Sequence, residues 1–235
     1  MAPSNWIADC SRHSSLLKNK RINVIPNGVD LSVFKPHIKS EAKSVLGIEL
    51  RKPLVLYGAF AATRDKNKGF DLLIDALGIL NESGIEYELA IFGTNSLPTD
   101  FNLNCKVHLL GNIYDPNILA LAYSAADVTI VPSRSENLPY TVIESLACGT
   151  PVVAFQIGGI PDIICSDHLG LLAKPYDCHE MAQCIAKLLK RKEADVIINS
   201  KQILNTVEDN YSVDTQVKQY LDLFSELLRN KDTNV

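Results

Sequence analysis

The sequence has none of the cysteine pairs that build metal or redox motifs. Its six cysteines, Cys10, Cys105, Cys148, Cys165, Cys178 and Cys184, include no Cys-x-x-Cys, and they form no zinc-spaced cluster with the histidines. They read as reduced, small apolar residues, and no metal site is expected. No apolar run approaches the ~18 residues needed to span a bilayer. The opening MAPSNWIADCSRHSS has neither the basic start nor the continuous apolar core of a secretory signal. The expectation is a soluble, cytoplasmic protein, or one peripheral to the inner face of the membrane in its intact form. Excess positive charge is also missing: the net charge is -4, so no nucleic-acid partner is expected and any anionic ligand must be met by a few local cations. A Walker A loop is absent, because no G-x4-G-K-[ST] occurs.

What is present is ordinary globular composition, with 46% hydrophobic and 21% charged residues in a chain of 235. From Lys52 onward, short β-rich runs alternate with segments of helical period. Candidate strands cover residues 53–57, 88–92, 107–110, 128–131, 152–155 and 170–173. Candidate helices cover 69–81, 117–124, 139–148, 160–165 and 178–191. This alternation predicts an α/β fold, a doubly wound, Rossmann-like parallel sheet whose ligands bind beyond the carboxyl ends of the strands. Four of the strands, VLYG, AIFG, HLLG and TIVPS, end at Gly or Pro-Ser, where loops would face that crevice; each glycine alone is equally a turn residue.

The division follows as a connecting segment (1–50), a ligand-binding domain (51–192) and a helical tail packed on it (193–235). The first segment predicts a helix over 6–17, a short strand over 22–26 and a turn at Pro26-Asn27-Gly28. The tail predicts helices over 193–210 and 213–230. In the second of these, Val217, Tyr220, Leu221, Phe224, Leu227 and Leu228 mark one buried face.

The most informative stretch is PSRSENLPYTVIESLACGTPVVAF, residues 132–155, where a strand ends, a loop carries Glu136, and a helix starting near Pro139 carries Glu144. The free N–H groups of such a helix start, with the dipole behind them, suit a diphosphate. Glu144, between one and two turns in, suits hydroxyls of a ribose or sugar. Taken alone, the two acids are as readily an acid near a helix start and a solvated helix position. A second cluster, GAFAATRDKNKGF (58–70), places Arg64, Lys66 and Lys68 on the loop after the first strand, where cations can neutralise a leaving diphosphate or simply face solvent. Gly158-Gly159 ahead of Ile160-Pro161-Asp162 reads as a tight turn into a helix. The five histidines fit no triad or ligand spacing.

The run ENLPYTVIE keeps an E-x7-E spacing and continues into SLACGTPVVAF and GGIPDII; with IPNGVDLSVFKP, NKGFDLLIDAL and YSAADVTIVPS in order, nearly the whole chain resembles the group 1 family of retaining glycosyltransferases. The resemblance implies one half of a GT-B fold: the C-terminal, donor-binding domain with its connecting segment, without the N-terminal acceptor domain. It implies that Glu144 binds the donor ribose and Glu136 contacts the donor sugar, with the backbone of Asn137, Leu138, Pro139 and Tyr140 beside sugar and phosphate and N–H groups offered by all of these but the proline. Gly93 with Thr94, and Leu110 with Gly111, would let the nucleobase rest on backbone. Relatives carry Gly-Arg at the first strand end and Lys-Gly further on. Here Gly58 is followed by Ala59, Lys68-Gly69 matches, and Arg64 is taken to supply the missing guanidinium.

The expected activity is transfer of a sugar from a nucleotide-diphosphate donor of UDP or GDP type to a hydroxyl with retention of configuration, in bacterial surface polysaccharide biosynthesis. Lys68, Arg64 and the helix start would stabilise the departing diphosphate, with Glu136 at the sugar. No cofactor is implied, and no Asp-x-Asp metal motif occurs. The implied partners are the nucleotide sugar, the missing acceptor domain or a partner chain, and an acceptor glycan or lipid-linked sugar. The competing readings are a non-enzymatic nucleotide-sugar-binding subunit of a split transferase, or a sugar-nucleotide epimerase or phosphorylase of similar fold.

Overall fold

The computed structural model describes residues 1–49, 52–99, 101–191 and 193–232. In chain order the elements are α1 (Asn5–His13), α2 (Lys39–Val45), β1 (Leu54–Gly58), α3 (Phe70–Glu82), β2 (Glu88–Phe92), β3 (Lys106–Gly111), α4 (Pro116–Ala125), β4 (Val128–Val131), α5 (Tyr140–Ala147), β5 (Val152–Phe155), α6 (Ile160–Ile163), β6 (Gly170–Ala173), α7 (Cys178–Leu189), α8 (Glu193–Tyr211) and α9 (Val213–Asp232). The six strands form one sheet in the order β3-β2-β1-β4-β5-β6, and every neighbouring pair is parallel. This is the α/β, Rossmann-like fold that the alternation predicts.

The central strands are apolar on both faces because both faces are covered. Val55 and Tyr57 of β1, Leu89 and Ile91 of β2, and Val153 and Phe155 of β5 turn toward α3 and α7. Alternate residues turn the other way: Leu54, Leu56, Ala90 and Phe92 meet α4 and the segment around α2, and Val152 and Ala154 meet α5, α6 and α8. The β2–β3 connection carries no helix among its described residues. Leu97, Phe101, Leu103 and Cys105 pack on the α3 side instead, so loop side chains cover that part of the sheet.

The termini depart from expectation in three places. Residues 22–26 form no strand: Val24 makes only an isolated bridge to Ala2, because no neighbouring strand continues the ladder. α1 stops at His13 rather than near residue 17, with Ser14 turning to extended backbone. The seven-residue α2 was not expected. It has no side-chain cap, and its Lys43 is buried while Nζ reaches the Lys52 carbonyl at 3.0 Å, a snorkelling arrangement that disguises an inward-facing position as a solvent-facing one.

The tail is helical as expected, but its apolar stripe is not buried. α8 inserts Ile203, Val207 and Tyr211 against the α5 side of the core. α9, by contrast, leaves Val217, Leu221, Phe224, Leu227 and Leu228 between 49% and 65% exposed. α8 already occupies the layer against α5, so the spacing is right for an amphipathic helix, but among the described residues nothing covers this stripe. α9 is tethered at its start by Val29, which bridges to Ser212, and further along by a bidentate Arg21–Glu226 pair at 2.6 and 2.7 Å. Among the described residues no helix is long and apolar enough to cross a membrane.

Leu77, fully buried between α3 and the sheet, is the natural probe of this core. Leu77→Ala is expected to lower unfolding free energy by about 2–5 kcal/mol, read from the midpoint of urea unfolding.

Candidate active site

The strand order reverses between β1 and β4, since β1 leads outward to β2 and β4 leads outward to β5. Loops leaving two adjacent strands in opposite directions open a crevice at their carboxyl ends. The two loops there are residues 59–69, after β1, and 132–139, after β4.

These loops are locked together at atomic contact. Lys68 Nζ donates to Glu136 Oε1 at 2.8 Å, and Ser133 Oγ donates to the same oxygen at 2.9 Å. The pair is partly shielded, with side-chain exposures of 29% for Lys68 and 13% for Glu136. Backbone keeps it there. Gly69 follows Lys68 in the left-handed region at φ +68°, and a Cβ on it would stand 1.9 Å from the Pro132 carbonyl oxygen. Gly158 has φ +51°, and a Cβ there would stand 1.8 Å from the Glu136 carbonyl oxygen. The Gly159 N–H donates to that carbonyl at 3.2 Å. The Gly-Gly turn therefore does more than start α6: it forms the floor on which the Glu136 loop lies. Arg134 ties the loops from outside, with two bonds to Asp71 at 2.8 and 2.6 Å and one to the Lys66 carbonyl at 2.7 Å.

From Glu136 the chain enters α5 through Pro139, whose φ of -68° suits the start of a helix. No side chain caps α5, so its first N–H groups remain available for an anion. Beside this helix start lies a cleft of about 640 Å³ whose walls include Arg64, Gly93, Thr94, Tyr123, Tyr140 and Glu144. Glu144 is partly buried, and the fully buried Tyr123 hydroxyl donates to its Oε2 at 2.8 Å. Burial pushes the Glu144 carboxyl above its ordinary 4.5, while the Tyr123 bond pulls the other way. Burial raises the Tyr123 phenol well above 10, so the tyrosine acts as a donor. One carboxylate oxygen is thus occupied and the group is held at the cleft wall.

The structure separates the residues singled out in the sequence into three groups. Lys68 and Glu136 form the ion pair. Arg64, Gly93, Tyr140 and Glu144 line the cleft, with Arg64 exposed and making no ion pair among the described residues. The others do not line it. Gly58 lies against the Phe92 ring, Leu110 packs into the core layer beside α4, and Leu138 and Pro139 are buried beneath the loop. The Asn137 side chain accepts from Ser4 Oγ at 2.6 Å, tying the loop to the start of α1. Sequence reasoning missed Tyr123, Ser133 and the supporting role of Gly158. The phenol of Tyr123 sits in an Ala-rich helix that otherwise reads as plain core, and no local pattern pairs it with Glu144.

Comparison with known proteins gives the family. The sequence profile described as "Glycosyl transferases group 1" matches residues 39–203. The chain belongs to that family. Group 1 relatives include D-inositol 3-phosphate glycosyltransferases of Paenarthrobacter aurescens, 33% identical over 178 residues and 72% of this chain, and of Xylanimonas cellulosilytica, 35% identical over 185 residues and also 72% of this chain. In each case the match covers 43% of the relative, so this group 1 chain spans about two fifths of the curated relatives it matches. Among solved structures it is similar to sucrose-phosphate synthase from Thermosynechococcus elongatus, with TM-score 0.80 and 27% identity over 97% of this chain and 58% of that one. The same fold recurs in Anabaena HepE in complex with UDP and glucose, with TM-score 0.73 and 21% identity over 95% of this chain and 62% of that one. It also spans all of the C-terminal domain of a group 1 protein from Francisella tularensis, with TM-score 0.65 and 21% identity over 79% of this chain.

The raised carboxyl of Glu144 fixes a pH dependence. An acid whose native pKa lies above its unfolded value stabilises the fold fully below that unfolded value, and the contribution is lost as pH rises through the native pKa. Glu144→Gln cannot ionise and escapes the loss. Its unfolding free energy is expected to rise relative to the parent between pH 4 and pH 7, with the two converging at the acid end. Urea titrations at the two pH values measure this, and a constant difference would mean that the buried charge is not destabilising.

Proposed function

We propose that this chain is the donor-binding half of a retaining glycosyltransferase that moves a sugar from a nucleotide-diphosphate sugar to a hydroxyl. The observation that carries the reading is the meeting of Lys68, Glu136, the uncapped start of α5 and Glu144 at one strand-order reversal. Its chemistry is heterolysis of the bond between the anomeric carbon and the diphosphate oxygen. The electron pair leaves with the diphosphate, the acceptor oxygen bonds to the anomeric carbon, and the acceptor proton passes to the departing diphosphate. Lys68 and the α5 N–H groups oppose the charge building on that leaving group, and Arg64, exposed and without an ion pair among the described residues, adds a second cation on the cleft wall. Glu136, shared by Lys68 and Ser133, faces the sugar, and Glu144 accepts from the ribose hydroxyls. Family membership supports retention. An acceptor glycan or lipid-linked sugar of bacterial surface polysaccharide synthesis is the acceptor we take from the sequence reading. UDP in a structural neighbour of the same fold supports a UDP donor, with GDP the alternative.

Because the chain spans about two fifths of its relatives, transfer belongs to a larger assembly in which an acceptor-binding domain or partner chain closes over the donor. Two outcomes test this. In isothermal titration with UDP, GDP and ADP, one nucleotide is expected to bind saturably, and Glu144→Ala and Lys68→Ala are each expected to weaken it about 10-fold or more, the loss of one hydrogen bond to a charged group. No binding at millimolar ligand would overturn the reading. With the corresponding nucleotide sugar, the chain alone is expected to give no multiple-turnover transfer; sustained turnover would show that no second domain is required.

A further inference from the structure

Two aromatic rings face solvent at the cleft in a way that nothing in the fold requires. Phe60 is 90% exposed and Tyr114 is 86% exposed, yet both belong to the cleft wall. Neither ring is loose by default, because the chain on each side is pinned. Phe60 precedes Ala61, a non-glycine residue in the left-handed region at φ +54°. Beyond it, Ala62 is fully buried, and its carbonyl accepts from the Tyr57 hydroxyl at 2.6 Å. The Ala61 carbonyl accepts from the Arg64 and Asp65 N–H groups at 2.8 and 3.0 Å. A strained residue held from one side turns Ala62 inward and its neighbour Phe60 outward. Tyr114 sits between Ile113, which packs into the core beside α4, and Asp115, whose side chain caps α4 through the Asn117 N–H at 2.8 Å.

The strands behind these rings set the spacing of the loops that carry them. Phe60 follows β1 and Tyr114 follows β3, with β2 and its Gly93-Thr94 end between them. Two strand intervals amount to roughly 9.5 Å. Ring contacts form at centroid separations of about 4.5–7 Å, so loops carried by strands at that spacing leave room for one planar ring between them. Lys68 and Glu136 lie on the opposite side of β1, at the β1–β4 reversal, with Glu144 on the cleft wall. A ligand running along the carboxyl edge therefore meets charge at one end and paired aromatics at the other.

We infer that Phe60 and Tyr114 form an aromatic clamp on the base of the bound nucleotide, an inference that rests on the donor-site reading above. The clamp binds the base by its faces, which every base possesses, so it supplies affinity without choosing among bases.

The test compares ligands with and without a base. Titrations of the parent, Phe60→Ala, Tyr114→Ala and Tyr114→Phe use UDP, GDP, ADP and inorganic pyrophosphate. Each alanine variant is expected to weaken the best nucleotide about 10-fold or more, in line with the loss of one stacking face. Pyrophosphate binding stays as in the parent, and Tyr114→Phe retains nucleotide affinity. A parent that binds nucleotide while both alanine variants match it overturns the clamp and leaves the donor site standing. Equal weakening of pyrophosphate also overturns it, since the substitutions would then have disturbed the loops. A parent that binds no nucleotide at millimolar concentration overturns the donor-site reading and the clamp with it.

Discussion

All six strands run the same way, and everything else in the molecule answers to that constraint. Parallel strands need crossovers, crossovers cover both faces of the sheet, and every carboxyl end emerges along one edge. The order reversal between β1 and β4 then separates two neighbouring loops and leaves polar backbone at the bottom of a crevice. A chain that places a lysine on one of those loops and a glutamate on the other obtains a charge pair whose position depends on strand order and not on sequence proximity: Lys68 and Glu136 are 68 residues apart.

The crevice is also fastened to the core beneath it. Tyr123 hydrogen bonds Glu144 from within α4, and its own carbonyl accepts from the Thr150 hydroxyl at 2.7 Å. Ser145, fully buried on α5, joins Thr129 of β4 at 2.8 Å and the Thr150 carbonyl at 3.0 Å. These polar contacts lie in an otherwise apolar layer and are satisfied, which makes them specific to one packing of α4, α5 and β4. Glu144 on the cleft wall is thus held by a polar network that reaches from α4 through α5 to β4.

Much of this was legible in the sequence. The strands at 88–92, 128–131, 152–155 and 170–173 coincide with β2, β4, β5 and β6 because their apolar runs are bounded by turn residues and buried on both sides. Other features were not. Lys43 points inward on a helix too short to show a period, and 22–26 reads as a strand although the fold provides it only a single bridge. At the site, the types and spacing of Glu136 and Glu144 were readable, but their partners were not. Ser133, Tyr123 and the Gly158 floor act through contacts across the fold, and a one-dimensional pattern carries no trace of which carbonyl a glycine will lie against.

The exposed stripe of α9 bears on how stability is distributed through the chain. Most helices here are held by burying an apolar face against the sheet, so they open only when the sheet does. α9 lacks that tie along its apolar stripe, and the contacts described for it are largely polar, among them the bridge at residue 29, a Gln216 side chain accepting from the Gly28 N–H at 3.1 Å, and an exposed ion pair. Contacts of this kind contribute little each. Local opening of α9 is accordingly expected to cost less free energy than global unfolding, so that its backbone amides exchange with solvent before those of the sheet. Whatever covers its apolar face sets its order.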